Sequence, residues 1–165
     1  MANAKQWNIG AAGAVVHQGR VLMVRTIYGS AKGRWLLPGG YANHDERLDQ
    51  TAVREVREET GIEAEIVDVI GLRTRYTDRG GALFVLFRMR PVSGDPVPDG
   101  VEVDRAAYLS AAEIGALDNQ EILAIARNAS LAALTEGIGL LEDKQFPLKG
   151  ETYRAYLVKH GPQRE

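Results

Sequence analysis

The stretch Gly40–Ile62 reads GYANHDERLDQTAVREVREETGI, a glycine-containing turn followed by a short acidic segment. Glu55, Glu58 and Glu59 are spaced by three and four residues. In a helix, residues at these spacings lie within one turn of each other on the same side. The stretch therefore predicts a helix that carries a cluster of carboxylates.

A helical wheel, turning about 100° per residue, gives this helix an apolar side. Its members are Leu48, Ala52, Val53 and Val56. On the wheel, Glu59 and Glu55 fall inside or at the edge of this apolar sector, whereas an ordinary solvated helix turns its carboxylates away from it. We expect these acids to face the body of the protein, with Glu59 the most enclosed.

Inward carboxylates lose hydration and repel one another, so the cluster requires proton uptake, basic partners or a dication. Arg54 can reach Glu58 four residues on, but one arginine cannot neutralise three carboxylates. Mg²⁺ takes oxygen ligands and bridges carboxylates to substrate phosphates. From the RExxEE run alone, the alternative interpretation is a charged, solvated helix.

The spacing of the whole stretch is G-x5-E-x7-R-E-V-x-E-E-x-G-I. It is formed by Gly40, Glu46, Arg54, Glu55, Val56, Glu58, Glu59, Gly61 and Ile62. This pattern resembles the signature of the Nudix hydrolases, the family that includes the MutT proteins, at every specified position. The resemblance implies a single α/β domain, an α/β/α sandwich around a mixed β-sheet, over residues 1–137. Residues 138–165 would be a C-terminal extension, either packed on that domain or forming a dimer or lid element.

The resemblance also implies Mg²⁺ as cofactor, for which Mn²⁺ can substitute. Glu55 and Glu59 would bind the metal directly, Glu58 would be a ligand or a base acting through water, and the Gly39 carbonyl would be a further ligand. Arg54 would orient a carboxylate.

Glu46, by the same resemblance, would hold the loop and the helix together. The family often adds an acid from the loop before the last core strand. Glu102 is the favoured candidate here over Asp99 and Asp104, and the alternative for Glu102 is a solvated loop acid.

Basic and aromatic residues outside the acidic stretch are candidates for binding a nucleotide substrate. They are Arg25, Tyr28, Lys32, Arg34, Trp35, Arg73, Arg75 and Tyr76. The cations could hold phosphates, and the aromatic residues could stack on a base. The alternative is that the loop cations are only solvated and that the aromatic residues belong to the core.

Composition limits the remaining choices. The chain has 165 residues, a net charge of −2 and no cysteine, which excludes disulfides, thiolate metal sites and thiol catalysis. This charge gives no general attraction to nucleic acid or to acidic membranes. The N-terminal residues lack an apolar signal core, and no apolar run reaches the length of a membrane span. We expect a cytoplasmic protein without nucleic-acid or membrane partners, and a homodimer is common in the family it resembles.

Local patterns predict the order of the elements. Strands are expected over 7–17, 20–27, 63–76, 81–91 and 104–109. The pair Asn43 and Glu46 is typical of a capping box and predicts a helix that begins near His44 or Asp45 and ends at Gly61. Gly39 and Gly40 are predicted to form a turn. Further helices are expected over 110–117 and 119–136.

Three functions follow from these patterns. The first is a Mg²⁺-dependent pyrophosphohydrolase acting on a nucleoside diphosphate linked to another moiety, X, by attack of water on phosphorus. The second is a nucleoside triphosphate pyrophosphatase of the MutT type. The third, from another class, is a Nudix-fold nucleotide-binding or regulatory module without catalysis, which is disfavoured because all the signature glutamates are present.

Overall fold

The computed structural model of the chain describes residues 6–77, 80–135, 139–142 and 156–157. The strands are β1 Trp7–His17, β2 Arg20–Thr26, β3 Trp35–Leu36, β4 Gly39–Tyr41, β5 Glu63–Thr77, β6 Gly80–Ser93, β7 Val103–Ser110, β8 Leu141–Glu142 and β9 Tyr156–Leu157. The helices are α1 Leu48–Thr60, α2 Ala111–Ala116 and α3 Ala124–Ala133. The predicted strands are confirmed to within one or two residues at their ends.

Seven strands form one sheet, in the order β3-β2-β1-β6-β5, with β4 paired to β1 and β7 paired to β2. The β1–β6 pair is parallel and the other pairs are antiparallel, so the sheet is mixed as predicted. Gln18 and Gly19 join β1 to β2 with positive φ angles of 49° and 71°, which suit a tight hairpin turn.

Helices cover both faces of this sheet. On one face, Ala52 and Val56 of α1 pack on strand residues such as Phe87 and Met89. On the other, α2 and α3 pack on a second cluster. That cluster includes Ala12, Ala14, Val21, Met23, Leu86, Ile114, Ala126 and Ala129. Burial of two apolar clusters on opposite faces confirms the predicted α/β/α sandwich.

The predicted start of α1 is wrong by about three residues. The helix begins at Leu48 with Arg47 as its N-cap, and the Arg47 N–H donates to the Gln50 side chain at 2.9 Å. The expected pair does meet, because the Asn43 N–H donates to Glu46 Oε1 at 2.8 Å. That bond closes a turn ahead of the helix instead of capping it. The predicted end at Gly61 is confirmed, with φ at 70° in the left-handed region.

Gly39 and Gly40 were expected in a turn, but they lie in β4. Their partners in β1 are Ala12 and Ala11. A Cβ on Gly39 would lie 2.5 Å from the Ala11 carbonyl oxygen, closer than real contacts allow. The glycines are needed because this strand passes close to its neighbours.

The second half of the chain departs from expectation at one helix. α3 was expected from residue 119 but begins at Ala124. The preceding backbone is held elsewhere, since the Trp35 N–H donates to the Glu121 carbonyl at 2.7 Å and Ile122 forms a bridge to Trp35. Pairing with Trp35, the first residue of β3, therefore delays the start of the helix.

The segment after α3 returns to the edge of the sheet. Leu140 exchanges two backbone hydrogen bonds with Val69 of β5, each 3.0 Å long. Next to it, β8 pairs with β9. The rest of the predicted extension, including Phe146 and Tyr153, lies outside the described residues. Within the described parts of the chain, no helix is long and apolar enough to cross a membrane.

Candidate active site

The carboxylates of α1 differ in how deeply they lie. Glu59 is only 5% exposed, whereas the side chain of Glu58 is 52% exposed. Glu55 lies between them, with its side chain 12% exposed. The expectation that Glu59 is the most enclosed acid of the three is confirmed, because it shares the side of the helix that packs on the sheet.

The backbone of β4 forms a surface against these acids. The Gly39 N–H donates to Glu59 Oε2 at 3.2 Å. A Cβ on Gly40 would lie 2.6 Å from Glu55 Cδ, so only glycine leaves room for that carboxylate. The glycine pair thus fixes two of the three acids in place.

Arg54 is the cation of the cluster. Its guanidinium forms two hydrogen bonds to Glu46, Nε to Oε2 at 3.0 Å and Nη2 to Oε1 at 2.7 Å. Its Nη1 donates to both Glu55 Oε1 and Glu58 Oε2, at 2.8 and 2.9 Å. A further bond from Nη2 reaches the Tyr41 carbonyl at 3.1 Å. One guanidinium therefore joins the turn before the helix, the strand β4 and two of the acids.

These partners move the pKa values in opposite directions. Hydrogen bonding to Arg54 lowers the pKa of Glu46 to about 2. Burial, followed by the charge of Glu55, raises the pKa of Glu59 to about 8. Burial also raises the pKa of Glu55, against the opposing effect of Arg54. Glu46 is therefore a charged structural partner of Arg54. Glu55 and Glu59, in contrast, lack enough neighbouring positive charge to offset their burial.

The donor set of α1 suits a hard dication. Across the described part of the chain, no three Asp, Glu or His side chains already converge into a metal-binding group. Arg54 Nη1 lies between the Glu55 and Glu58 oxygens and partly neutralises their negative charge. All the available donors are oxygens, and burial, followed by the charge of Glu55, raises the pKa of Glu59. The residues therefore fit Mg²⁺ or Mn²⁺.

A cleft of about 670 Å³ opens above this cluster. Glu55, Glu58 and Arg54 form one wall, and Tyr28 and Glu102 belong to the lining as well. Partial burial, followed by the interaction of its hydroxyl with Glu102, raises the pKa of Tyr28 to about 12. The structure thus brings the favoured loop acid to the same cleft as the helix acids.

The backbone of Glu102 is held from two sides. Its carbonyl accepts from the Ile27 N–H at 3.0 Å, and its N–H donates to Asp99 Oδ1 at 3.0 Å. Asp99 also accepts from the Val101 and Val103 N–H groups, so its carboxylate is used to shape the loop. These backbone bonds lower the pKa of Asp99, although its partial burial acts in the opposite direction.

The predicted substrate-binding residues are divided by the fold. Arg73 lines the cleft, with its guanidinium 5.5 Å from the centroid of the Phe84 ring. Arg25 forms two hydrogen bonds with Asp104, at 2.8 and 2.6 Å, which occupies both side chains. Tyr76 packs against Trp7, with ring centroids 6.3 Å apart. Among the described residues that line the cleft, Arg25, Arg34, Arg75 and Tyr76 are absent.

Two aromatic residues of the cleft were not singled out from the sequence. Tyr41 and Phe84 line it and pack edge to face, with ring centroids 5.3 Å apart. Tyr41 directly follows the glycine pair, which gives a signal that could have been used. Phe84 lies in an apolar strand run, ALFVLFRMR, and nothing local distinguishes it from the core residues around it.

Comparison with known proteins identifies the fold and the family. The sequence matches the NUDIX domain family over residues 7–129. Nudix hydrolase 8 of Arabidopsis thaliana is 36% identical over 117 residues, which cover 68% of this chain and 31% of that protein. Nucleoside diphosphate-linked moiety X motif 6 of Homo sapiens is 36% identical over 90 residues, which cover 52% of this chain and 28% of that protein. The match thus spans less than a third of the length of either curated relative.

A solved structure supports the same conclusion for the fold. The MutT NUDIX hydrolase from Burkholderia pseudomallei superimposes with a TM-score of 0.67 at 22% sequence identity. The superposition covers 77% of this chain and 98% of that one. Together with the family match, which takes in the whole acidic stretch from Gly40 to Ile62, it confirms the resemblance seen in the sequence. The chain belongs to the Nudix family.

Proposed function

We propose that this chain is a divalent-cation-dependent pyrophosphohydrolase that cleaves the phosphoanhydride of a nucleoside diphosphate linked to a second moiety, X. Attack of water on phosphorus would release a nucleoside monophosphate. The observation that carries the proposal is the placement of Glu55 and Glu59 against the glycine backbone of β4, with Glu55 lining a cleft of about 670 Å³. The name of the human relative, which refers to moiety X, agrees with this class of substrate.

Glu55, Glu58 and Glu59 would hold the cation, with the Gly39 carbonyl as a further donor. Mg²⁺ is proposed as the natural ion, with Mn²⁺ as a substitute. When bound, the ion offsets the charge on the phosphoryl oxygens and lowers the pKa of a coordinated water. Its charge would also oppose the effect of burial and of Glu55, which together raise the pKa of Glu59.

The remaining residues of the cleft have separate tasks. Arg54 orients Glu55 and Glu58 through the two bonds from its Nη1 atom. Glu102 belongs to the same cleft and can take a proton from the attacking water. Arg73 can contact the diphosphate from the side of β5. The activated water, the neutralised phosphate and the held leaving group are the three needs of phosphoanhydride cleavage.

The test is turnover on a nucleotide panel in Mg²⁺, with nucleoside diphosphate sugars, ADP-ribose, dinucleoside polyphosphates and the nucleoside triphosphates. We expect cleavage of the X-linked diphosphates, and Glu58→Gln and Glu59→Gln should each lower kcat by about 100-fold or more. Glu63→Gln is the matched control, because Glu63 is an exposed acid on β5 outside the cleft. Full turnover in both site variants would overturn the metal assignment.

The same panel separates the alternatives. A strong preference for triphosphates would favour the MutT-type pyrophosphatase. Binding of one nucleotide without cleavage of any would favour the non-catalytic module. Hydrolysis in ¹⁸O water shows which phosphorus is attacked, because the label is found in the product that contains that phosphorus.

Three further proposals concern the protein around the site. Residues 1–137 would form the catalytic domain, and residues 138–165 an extension packed on it or contributing to a dimer or lid. A cytoplasmic location and a homodimer stay predictions. A chain truncated after residue 137 would test the division, because we expect it to fold and to retain the metal-dependent rise in Tm.

A further inference from the structure

A second cavity, of about 220 Å³, opens beside the cleft on the face of the sheet covered by α3. The two cavities share Leu36, Gly39, Arg73 and Phe84 in their linings. A substrate whose diphosphate lies at Glu55 can therefore extend a further group into this second cavity. We call it the side pocket, and the rest of its wall includes Ala12, Leu86, Leu123, Ile125, Ala126 and Ala129.

The side pocket offers burial but few polar partners. Within the described residues, Arg73 is the only lining side chain that is not apolar, and its guanidinium lies over the Phe84 ring. The Gly39 N–H in the shared wall is already bonded to Glu59. A sugar placed here would lose the hydrogen bonds of its hydroxyls to water without regaining them from side chains. A nucleobase differs because its polar groups lie along its edge, so its two flat faces can be buried while that edge stays turned toward the open cleft.

We propose that the side pocket binds the nucleobase of the substrate by shape and burial, and reads no hydrogen-bond pattern on the edge of the base. This inference rests on the proposed function. The volume of about 220 Å³ equals that of roughly seven water molecules at about 30 Å³ each, which is room for one ring system. Arg73, at the junction with the cleft, lies where the ring would pass into the ribose and diphosphate.

Recognition by shape and burial limits how strongly the protein can discriminate between bases. An apolar pocket separates ligands that differ by one methylene by about 10- to 200-fold, whereas a site built to hydrogen-bond a group rejects its absence by about 10⁴- to 10⁵-fold. Substrates that share X and carry bases of the same ring size should therefore have kcat/KM values within about 200-fold of each other. The enzyme would select its substrates by the diphosphate and by X, and tolerate the base.

The experiment uses ADP-, GDP-, CDP- and UDP-glucose, which share X. Turnover is measured in Mg²⁺, and the dissociation constants of the same four compounds are measured with Ca²⁺ in its place, so that the diphosphate keeps a cation partner. A span of kcat/KM within about 200-fold is expected between the two purine compounds and between the two pyrimidine compounds. A preference of 10⁴-fold or more for one base would overturn the inference, because only hydrogen-bond reading gives so large a ratio.

A variant that fills the side pocket tests whether the base binds there. Ala126→Leu places three more carbon atoms in the side pocket, and Ala132→Leu is the matched control on the same helix, outside the lining. We expect Ala126→Leu to raise Kd and KM at least tenfold, more for purines than for pyrimidines, with kcat nearly unchanged. Ile125→Trp narrows the same pocket from a position that is 41% exposed, and serves if Ala126→Leu does not fold.

The outcomes separate this inference from the proposed function. A wild-type protein that binds all four compounds and cleaves none would contradict the proposed function alone. Equal binding by wild type, Ala126→Leu and Ile125→Trp would overturn the side-pocket assignment, whatever the turnover. Neither binding nor cleavage would overturn both.

Discussion

The backbone N–H of Gly39 donates a hydrogen bond to Glu59 Oε2 at 3.2 Å, and so joins strand β4 to the last turn of α1. The acceptor is 5% exposed, and no cation among the described residues is hydrogen-bonded to it, since Arg54 is bonded to Glu46, Glu55 and Glu58. One backbone donor is a weak substitute for hydration. The stability of the folded protein should therefore depend on whether Glu59 binds a proton or a metal ion.

The first prediction concerns pH in the absence of metal. The pKa of Glu59 rises from 4.5 to about 8 on folding, so between these values the folded protein holds a proton that the unfolded chain has released. The free energy of unfolding should therefore fall as pH rises from about 4.5 and level off above about 8. Glu59→Gln, which can still accept from Gly39, should remove this fall and be the more stable protein at pH 9.

The measurement is urea unfolding in EDTA at pH 5 and pH 9. At pH 9 we expect Glu59→Gln to exceed wild type by on the order of a few kcal/mol, since each pKa unit corresponds to about 1.4 kcal/mol. Glu63→Gln, at an exposed position, should follow the wild-type curve. A Glu59→Gln protein that is less stable than wild type at pH 9 would contradict the assigned cause of the shift.

The second prediction concerns metal. Millimolar Mg²⁺ should raise the Tm of wild type, because an ion that binds only the folded state stabilises it by mass action. The rise should be absent in Glu59→Gln and preserved in Glu63→Gln. Differential scanning fluorimetry with and without EDTA provides the measurement, and a wild-type Tm that is indifferent to Mg²⁺ and Mn²⁺ would count against an enclosed metal site.

The sequence could predict most of this helix and little of what faces it. The enclosure of Glu59 follows from its position on the wheel beside Ala52 and Val56, because these are local relationships. The helix start could not be read from Asn43 and Glu46 in the same way. Glu46 is held by Arg54, eight residues further on, and this ion pair keeps the carboxylate in the turn.

The other contacts that the sequence did not predict join segments that are distant along the chain. Tyr28 meets Glu102 because β2 and β7 are paired, and Ile122 meets Trp35 because the chain before α3 returns to β3. Neither pairing leaves a trace in the local pattern. The ion pair of Arg25 with Asp104 was not predicted for the same reason, since the two residues lie on those two paired strands.

The third prediction uses the close approach of Gly40 to Glu55. A methyl group at Gly40 would overlap the Glu55 carboxylate, so Gly40→Ala should displace that acid while leaving the strand paired. We expect kcat to fall by about 100-fold, the effect of a displacement of about 1 Å at a reacting centre. Gly115→Ala is the matched control, because a Cβ there meets nothing within 4 Å. Equal activity of the two variants would show that Glu55 need not lie against the backbone.

The fourth prediction concerns Tyr28 as a positioning residue for Glu102. Tyr28→Phe removes the hydroxyl that interacts with the Glu102 carboxylate and keeps the ring. With Glu102 as the proton acceptor, kcat should fall about tenfold with KM nearly unchanged. Tyr76→Phe, at a ring that packs on Trp7 away from the cleft, is the control. A rise in KM alone would instead assign Tyr28 to substrate binding.

The fifth prediction concerns a buried ion pair at the far side of the sheet. Arg88 donates from Nε and Nη2 to the two carboxylate oxygens of Asp68, at 3.0 and 2.7 Å. Its Nη1 also donates to the Ala133 and Thr135 carbonyls, at 3.2 and 2.7 Å, so the pair secures the C-terminal end of α3 to the sheet. Arg88→Met would leave the Asp68 carboxylate buried without this partner and should cost about 3–5 kcal/mol of the free energy of unfolding.

A double variant separates the buried charge from the lost helix contacts. Asp68→Asn together with Arg88→Met removes both charges, so it should recover part of the stability that Arg88→Met loses. The carbonyls at the end of α3 stay without their donor, which explains why recovery should be incomplete. Urea unfolding of the four proteins completes the cycle. If the double variant loses the sum of the two single losses, the two side chains act independently and the helix contacts alone determine the effect of Arg88.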